Sequence, residues 1–262
     1  MKEIKRVVIK VGTSTLTYEN GKTNIRRMSK LAEVLTDIHN AGTEVVLVSS
    51  GAIGVGTQKL GLPEKPQSTK GKQAAASVGQ SELMFMYDRL FGEYNQTISQ
   101  LLLTSEDIDD EKRRNNLLGT FEKLFEFGVI PIVNENDSTT TDEIEFGDND
   151  SLSALTAKLV GADLLVILSD INGLYDKDPN RYADAKIIEE VTAVTEDIYQ
   201  MAGGAGSRMG TGGMRTKLDA AKIAANAGMD MVIMNGSDPT ELYKVFDGAP
   251  VGTIFKAQPQ TH

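Results

Sequence analysis

A chain of 262 residues, 40% hydrophobic and 24% charged, is long enough to bury one large α/β core or two small ones without a disulfide or metal staple. The lack of cysteine excludes a disulfide framework, a thiol nucleophile and a thiolate metal site, and suits a cytoplasmic protein. With 27 basic against 37 acidic residues the net charge of −10 disfavours nucleic acid or an anionic membrane as partner, and no apolar run reaches the roughly 18 residues of a membrane span.

Near-continuous Val/Ile/Leu runs predict strands buried on both faces at "RVVIKVG", "TEVVLVSSG", "TISQLLLT", "VIPIVNEND", "ADLLVILSD" and "MDMVIMNG". Between the first two, Met28, Leu31, Leu35 and Ile38 recur at helical spacing and Gly42 suits the helix end, which makes a β-α-β unit. Further helices are predicted through "KQAAASVGQSELMFMYDRLFGEY", "RNNLLGTFEKLFEFG", "DSLSALTAKLVGA" and "TKLDAAKIAANAG". Strand alternating with helix throughout predicts an α/β fold, an αβα sandwich around an open, mostly parallel central sheet. With no linker in sight, 1–262 reads as a single domain.

In open parallel sheets ligands bind at the carboxyl ends of the strands, so the loops after the strands carry the chemistry. Here they read "KVGTST", "SSGAIGVG", "NENDSTTTDEIEFGDND" and "SDINGLYDKDP". The backbone amides of Ser50, Gly51 and Ala52 suit an anion, either a phosphate or a substrate carboxylate. Lys10, ending the first strand, either reaches solvent at a sheet edge or meets a phosphate; beside "GTS" and a second lysine, the phosphate is favoured.

"GTGGMRTKLDAA" supplies that second lysine. Its glycines leave backbone N–H groups open to an anion, and Met214, Leu218, Ala221 and Ala225 mark the buried face of a helix beginning at Met214. Lys217, one turn in, reaches back over the glycines because helical side chains tilt toward the N-terminus. Neither a P-loop nor a G-x-G-x-x-G fingerprint is present.

The acidic loop gathers Asn134, Glu135, Asn136, Asp137, Asp142, Glu143, Glu145, Asp148, Asn149 and Asp150. So many carboxylates need a metal, the lysines or a substrate ammonium to neutralise them. Asp148, Asn149 and Asp150 also stand where helix caps stand, before "SLSALTAKL". The two histidines, His39 and His262, make no zinc site, and no protein metal ligand is assigned; magnesium arriving with a nucleotide is the expected ion. Glycine amides, two lysines and orienting carboxylates together describe phosphoryl transfer.

"IKVGTS", "VVLVSSGAIGVG", "PIVNENDS", "FGDNDSLSA", "LSDINGLYDKDP" and "GTGGMRTKLDAA" together resemble the amino-acid kinase family, in family order from about Lys5 to Gly252. "SSGAIGVG", "GQSELMFMY", "VNENDS" and "GTGGMRTK" resemble the branch that phosphorylates the side-chain carboxylate of L-glutamate to L-glutamyl 5-phosphate, the first step of proline biosynthesis. The resemblance implies that Lys10 and Lys217 neutralise the transferring phosphoryl while Asp150 holds both lysines. It implies glutamate binding by Ser50, Asp137 and Asn149, with Gly51, Ala52, Asn134 and Asp148 near them. ATP with Mg2+ would be held by Lys10, Ser169, Asp170, Thr211, Gly212, Gly213, Met214, Arg215, Thr216 and Lys217, although Arg215 also reads as a surface residue. Ser169 stands where threonine is more usual.

The same resemblance implies a glutamate-binding lobe of about 1–165 and an ATP-binding lobe of about 166–262. It further implies proline as a feedback inhibitor, glutamyl phosphate reductase as the next enzyme, and a homo-oligomer, dimer or tetramer. Many members carry a C-terminal PUA domain, which these 262 residues lack. The alternatives are acetylglutamate kinase, with Gly-Gly-Gly in place of "SSGA", carbamate kinase, aspartokinase, or a non-catalytic amino-acid sensor. Retention of Lys10, Asp150 and Lys217 argues against the sensor.

Overall fold

The computed structural model describes residues 3–18, 20–139, 149–179, 181–202 and 211–258. Strand β1 (Arg6–Val11) leads through the short helix α1 (Thr13–Leu16) into α2 (Ile25–Asn40) and β2 (Glu44–Val48), the β-α-β unit foreseen from the sequence. Asn24 caps α2 by accepting from the Arg27 amide, and Gly42 follows at φ 104°, a left-handed turn that needs no Cβ. Next come α3 (Ala52–Lys59), α4 (Thr69–Gly92), β3 (Ile98–Leu103), α5 (Ser105–Asp109), α6 (Glu111–Glu126) and β4 (Ile130–Glu135). The second half contributes α7 (Asp150–Leu159), β5 (Leu164–Ser169), β6 (Glu190–Val191), α8 (Glu196–Ala202), α9 (Thr211–Asn226), β7 (Asp230–Asn235), α10 (Leu242–Phe246) and β8 (Thr253–Phe255).

These strands form one sheet in the order β3-β4-β2-β1-β5-β7-β8-β6, parallel except where β8 runs against β7. Helices cover both faces. Val7, Ile9 and Val11 of β1 pack with Leu31 and Leu35 of α2 and Tyr87 of α4. Val8 turns the other way, toward Phe121 of α6, Ala154 of α7 and Leu218 of α9. The two-residue period of a strand therefore puts Lys10 on the face that α7 and α9 cover.

Burial on both faces holds for β1, β2, β4 and β5 and fails for β3, where only Leu103 is buried. The apolar run "TISQLLLT" is an edge strand, with β4 alone beside it. Strands β6 and β8, of two and three residues, are too short to carry an apolar run.

Helices α3 and α4 touch backbone to backbone. A Cβ on Gly79 would lie 1.7 Å from the Ala52 carbonyl oxygen, and one on Gly56 would lie 1.8 Å from that of Ala75. Gly79→Ala is expected to cost about 3 kcal/mol and to lower Tm in thermal unfolding; an unchanged Tm would mean that α4 moves aside freely.

Candidate active site

From β1 the chain crosses to β2, and after β4 it returns to β5 on the other flank of β1. This reversal of direction opens a crevice at the carboxyl ends of β1 and β5. Lys10 stands at that point, in the middle of the sheet and 3% exposed, so the alternative in which it reaches solvent at a sheet edge is ruled out.

Asp150, the first residue of α7, meets it there. Lys10 Nζ lies 2.8 Å from Asp150 Oδ1, and Lys217 Nζ of α9 lies 3.0 Å from Asp150 Oδ2. The Asp150 side chain is fully buried, and Thr216 donates its hydroxyl to the same Oδ2 at 2.9 Å. Together the two lysines and the aspartate carry one net positive charge in a desolvated crevice, where charge interactions are strong.

Helix α9 starts at Thr211, three residues before the expected Met214, so Gly212 and Gly213 belong to its first turn and not to a preceding loop. The consequence for an anion is similar, because the first amides of a helix have no partner within it. Lys217 reaches back as expected, donating to the Gly213 carbonyl at 3.0 Å. Met214 is half-buried and Arg215 exposed, which agrees with the surface reading of Arg215. The side chain of Thr211 and the burial of Gly212 lie outside the described residues, as does Asp148.

Asn149 occupies the N-cap position of α7 without capping by its side chain, and Asp150 turns its carboxylate to the lysines. Capping is thus not what these side chains do. Asn149 Nδ2 donates instead to the Ser49 carbonyl and to Asn134 Oδ1, both at 2.7 Å. Ser50 and Gly51 lead from β2 into α3, which Ala52 begins, and Gly51 takes the left-handed conformation at φ 101°. Among the described residues, Ser50 Oγ, Asp137 Oδ1 and Asn149 Oδ1 are buried without hydrogen-bond partners. Burial, reinforced by nearby Glu135 and opposed by Lys65, pushes the Asp137 carboxyl up to about 6.

At the end of β5, Ser169 is buried and donates its hydroxyl to the carboxylate of exposed Asp170 at 3.1 Å. No residue reading singled out Gln80, yet it accepts from Asn134 Nδ2 at 2.8 Å. The only signal was its place in "GQSELMFMY". Among the described residues no three His, Cys, Asp or Glu side chains cluster to hold a metal ion, and no helix is long and apolar enough to cross a membrane.

The sequence model of the Amino acid kinase family matches residues 5–235, which span every element of this crevice. The chain belongs to the amino acid kinase family. This kinase is 53% identical over 262 residues to "Glutamate 5-kinase" of Clostridium perfringens, the match covering 98% of this chain and 97% of that one. To "Glutamate 5-kinase" of Clostridium tetani it is 54% identical, over 98% of this chain and 96% of the relative. A "Glutamate 5-kinase" of Caldanaerobacter subterraneus is longer: 52% identity there spans 95% of this chain and 67% of the relative. Among solved structures, UMP kinase from Bacillus anthracis superposes with a TM-score of 0.65 at 16% identity, covering 98% of both chains. An isopentenyl phosphate kinase from T. acidophilum gives 0.63 at 18%, over 95% of this chain and 99% of that one. These two share the kinase's fold.

Proposed function

We propose that this kinase transfers the γ-phosphoryl group of ATP to the side-chain carboxylate of L-glutamate, giving L-glutamyl 5-phosphate for proline biosynthesis. The observation that carries the reading is the buried Lys10, Asp150 and Lys217 cluster at the mouth of the crevice. A carboxylate oxygen of glutamate attacks the γ-phosphorus as the bond to the ADP oxygen breaks, and the leaving charge passes to ADP. No proton has to be removed, because the nucleophile is already ionised at neutral pH. Lys10, Lys217 and the first amides of α9 offset the charge of the phosphoryl oxygens. Magnesium, carried by the nucleotide, would neutralise further phosphate oxygens. Asp150 serves the lysines, since both its oxygens face cations.

Residues of about 1–165 supply Ser50, Asp137 and Asn149 for glutamate, and residues of about 166–262 supply Ser169, Asp170 and α9 for ATP. The 52–54% relatives favour this substrate over N-acetylglutamate. ATP consumption with glutamate, N-acetylglutamate and aspartate in parallel, trapping acyl phosphate as hydroxamate, tests the reading. Turnover of N-acetylglutamate alone would overturn it. Proline is the proposed feedback inhibitor, and an assay unmoved by millimolar proline rejects that. The lability of an acyl phosphate in water favours handing it to glutamyl phosphate reductase, and a homo-oligomer is the assembly proposed.

Asp137 gives the reading a pH signature. Its ionised carboxylate would face the ammonium of glutamate, so the glutamate KM is expected to rise as pH falls below about 6. In the free protein the sign is reversed. With a folded pKa raised above the ordinary 3.8, its contribution to stability is fullest at low pH and lost as pH rises through about 6. Asp137→Asn is therefore expected to raise the glutamate KM about tenfold or more while raising the Tm of the free protein at pH 8. A glutamate KM flat from pH 5 to pH 7 would remove Asp137 from the ammonium site.

A further inference from the structure

We propose that Gln80 is a positioning residue for amino-acid recognition, acting through Asn134 on Asn149; the inference rests on glutamate binding beside Ser50, Asp137 and Asn149. The argument starts at the backbone. The Ser49 carbonyl can only accept, so the amino group of Asn149 must face it, as it does at 2.7 Å. The second N–H of that amino group goes to Asn134 Oδ1 at 2.7 Å, and Asn134 Oδ1 also accepts from the Glu135 amide at 2.9 Å. The amide of Asn134 is thereby fixed with its own Nδ2 turned outward, where Gln80 Oε1 receives it at 2.8 Å. From Asn149 through Asn134 to Gln80 each step runs from donor to acceptor, and Gln80 is the last acceptor on that side.

Its effect is felt at the other end. With both N–H groups of Asn149 committed, its Oδ1 remains a buried acceptor without a partner among the described residues. A buried acceptor left unmade costs free energy, so the site is built to receive a donor there. An amino acid's ammonium supplies one. Asn134, Asn149 and Gln80 are at most 9% exposed, so no bulk water replaces a missing acceptor. Gln80 belongs to α4, 54 residues from Asn134, and touches neither the lysines nor Ser169 in any described hydrogen bond.

Steady-state kinetics with glutamate and ATP varied separately test the idea. Gln80→Met keeps the length and removes the acceptor; its glutamate KM is expected to rise about tenfold, with kcat and the ATP KM within about twofold. If Gln80→Met does not fold, Gln80→Ala carries the same expectation. An unchanged glutamate KM in the variant without the acceptor overturns the proposal. So does an equal loss in both substrates, since that would make the role structural. Wild-type protein that fails to phosphorylate glutamate would instead bring down the functional reading, and this inference with it.

Discussion

Asp150→Ala is expected to lower kcat about 10³-fold or more and to destabilise the fold by about 3–5 kcal/mol. Its carboxylate is fully buried and holds two ammonium groups, at 2.8 and 3.0 Å. Without it, two like charges share a desolvated crevice, and each must turn toward water or lose its proton. Neither outcome leaves a cation aligned with a transferring phosphoryl group. Asp150→Asn separates the two effects, because it keeps the shape and removes the charge. It should recover part of the stability and little of the turnover. ADP release and thermal unfolding read the two quantities; an Asp150→Ala enzyme within tenfold of wild-type kcat would show that the lysines need no counter-ion.

Lys217→Ala is expected to cut kcat by about 10² to 10³ while leaving glutamate binding within about threefold. The asymmetry follows from position. Lys217 belongs to α9 and leans over Gly213, whereas the candidate glutamate contacts come from the segments after β2 and β4 and from the start of α7. Its removal leaves Lys10 and Asp150 as a one-to-one ion pair, so the fold should lose far less than in Asp150→Ala. Lys217→Arg should not restore the rate, because a planar guanidinium cannot take the place of a compact ammonium between Asp150 Oδ2 and the Gly213 carbonyl. Calorimetric glutamate titration beside initial rates checks both claims. An unaltered kcat would take Lys217 off the catalytic list.

What the sequence made legible was whatever depends on short-range pattern. Apolar runs located six strands, and helical periodicity located the long helices, because burial acts on neighbouring residues. Lys10, Asp150 and Lys217 were legible through the motifs around them; their meeting through one carboxylate was implied by resemblance and is now visible as distances. Features that depend on position within the sheet were not legible. The run at β3 looks like a core strand, and only its place at the edge explains why most of it is exposed. The start of α9 was displaced because glycine's low helix propensity argues for a loop, while packing of Leu218 and Ala221 favours helix. Asn149 looked like a cap because its position is a cap position; tertiary partners claimed its side chain. Gln80 carried no local signal, since its hydrogen bond closes over 54 residues of sequence.

The backbone contact at Gly79 and the amide chain ending at Gln80 sit on consecutive residues of one helix. Gly79 lies against the Ala52 carbonyl, where β2 gives way to α3, and Gln80 holds Asn134 in β4. A slide of α4 by a single residue, about 1.5 Å, would disengage both at once. The two halves of the proposed amino-acid site, amides from one strand end and acceptors from another, would thus be kept in register by one alignment pin. An insertion or deletion early in α4 would disturb substrate choice and packing together, so this dipeptide is expected to be inherited as a unit even where the surface of the helix drifts.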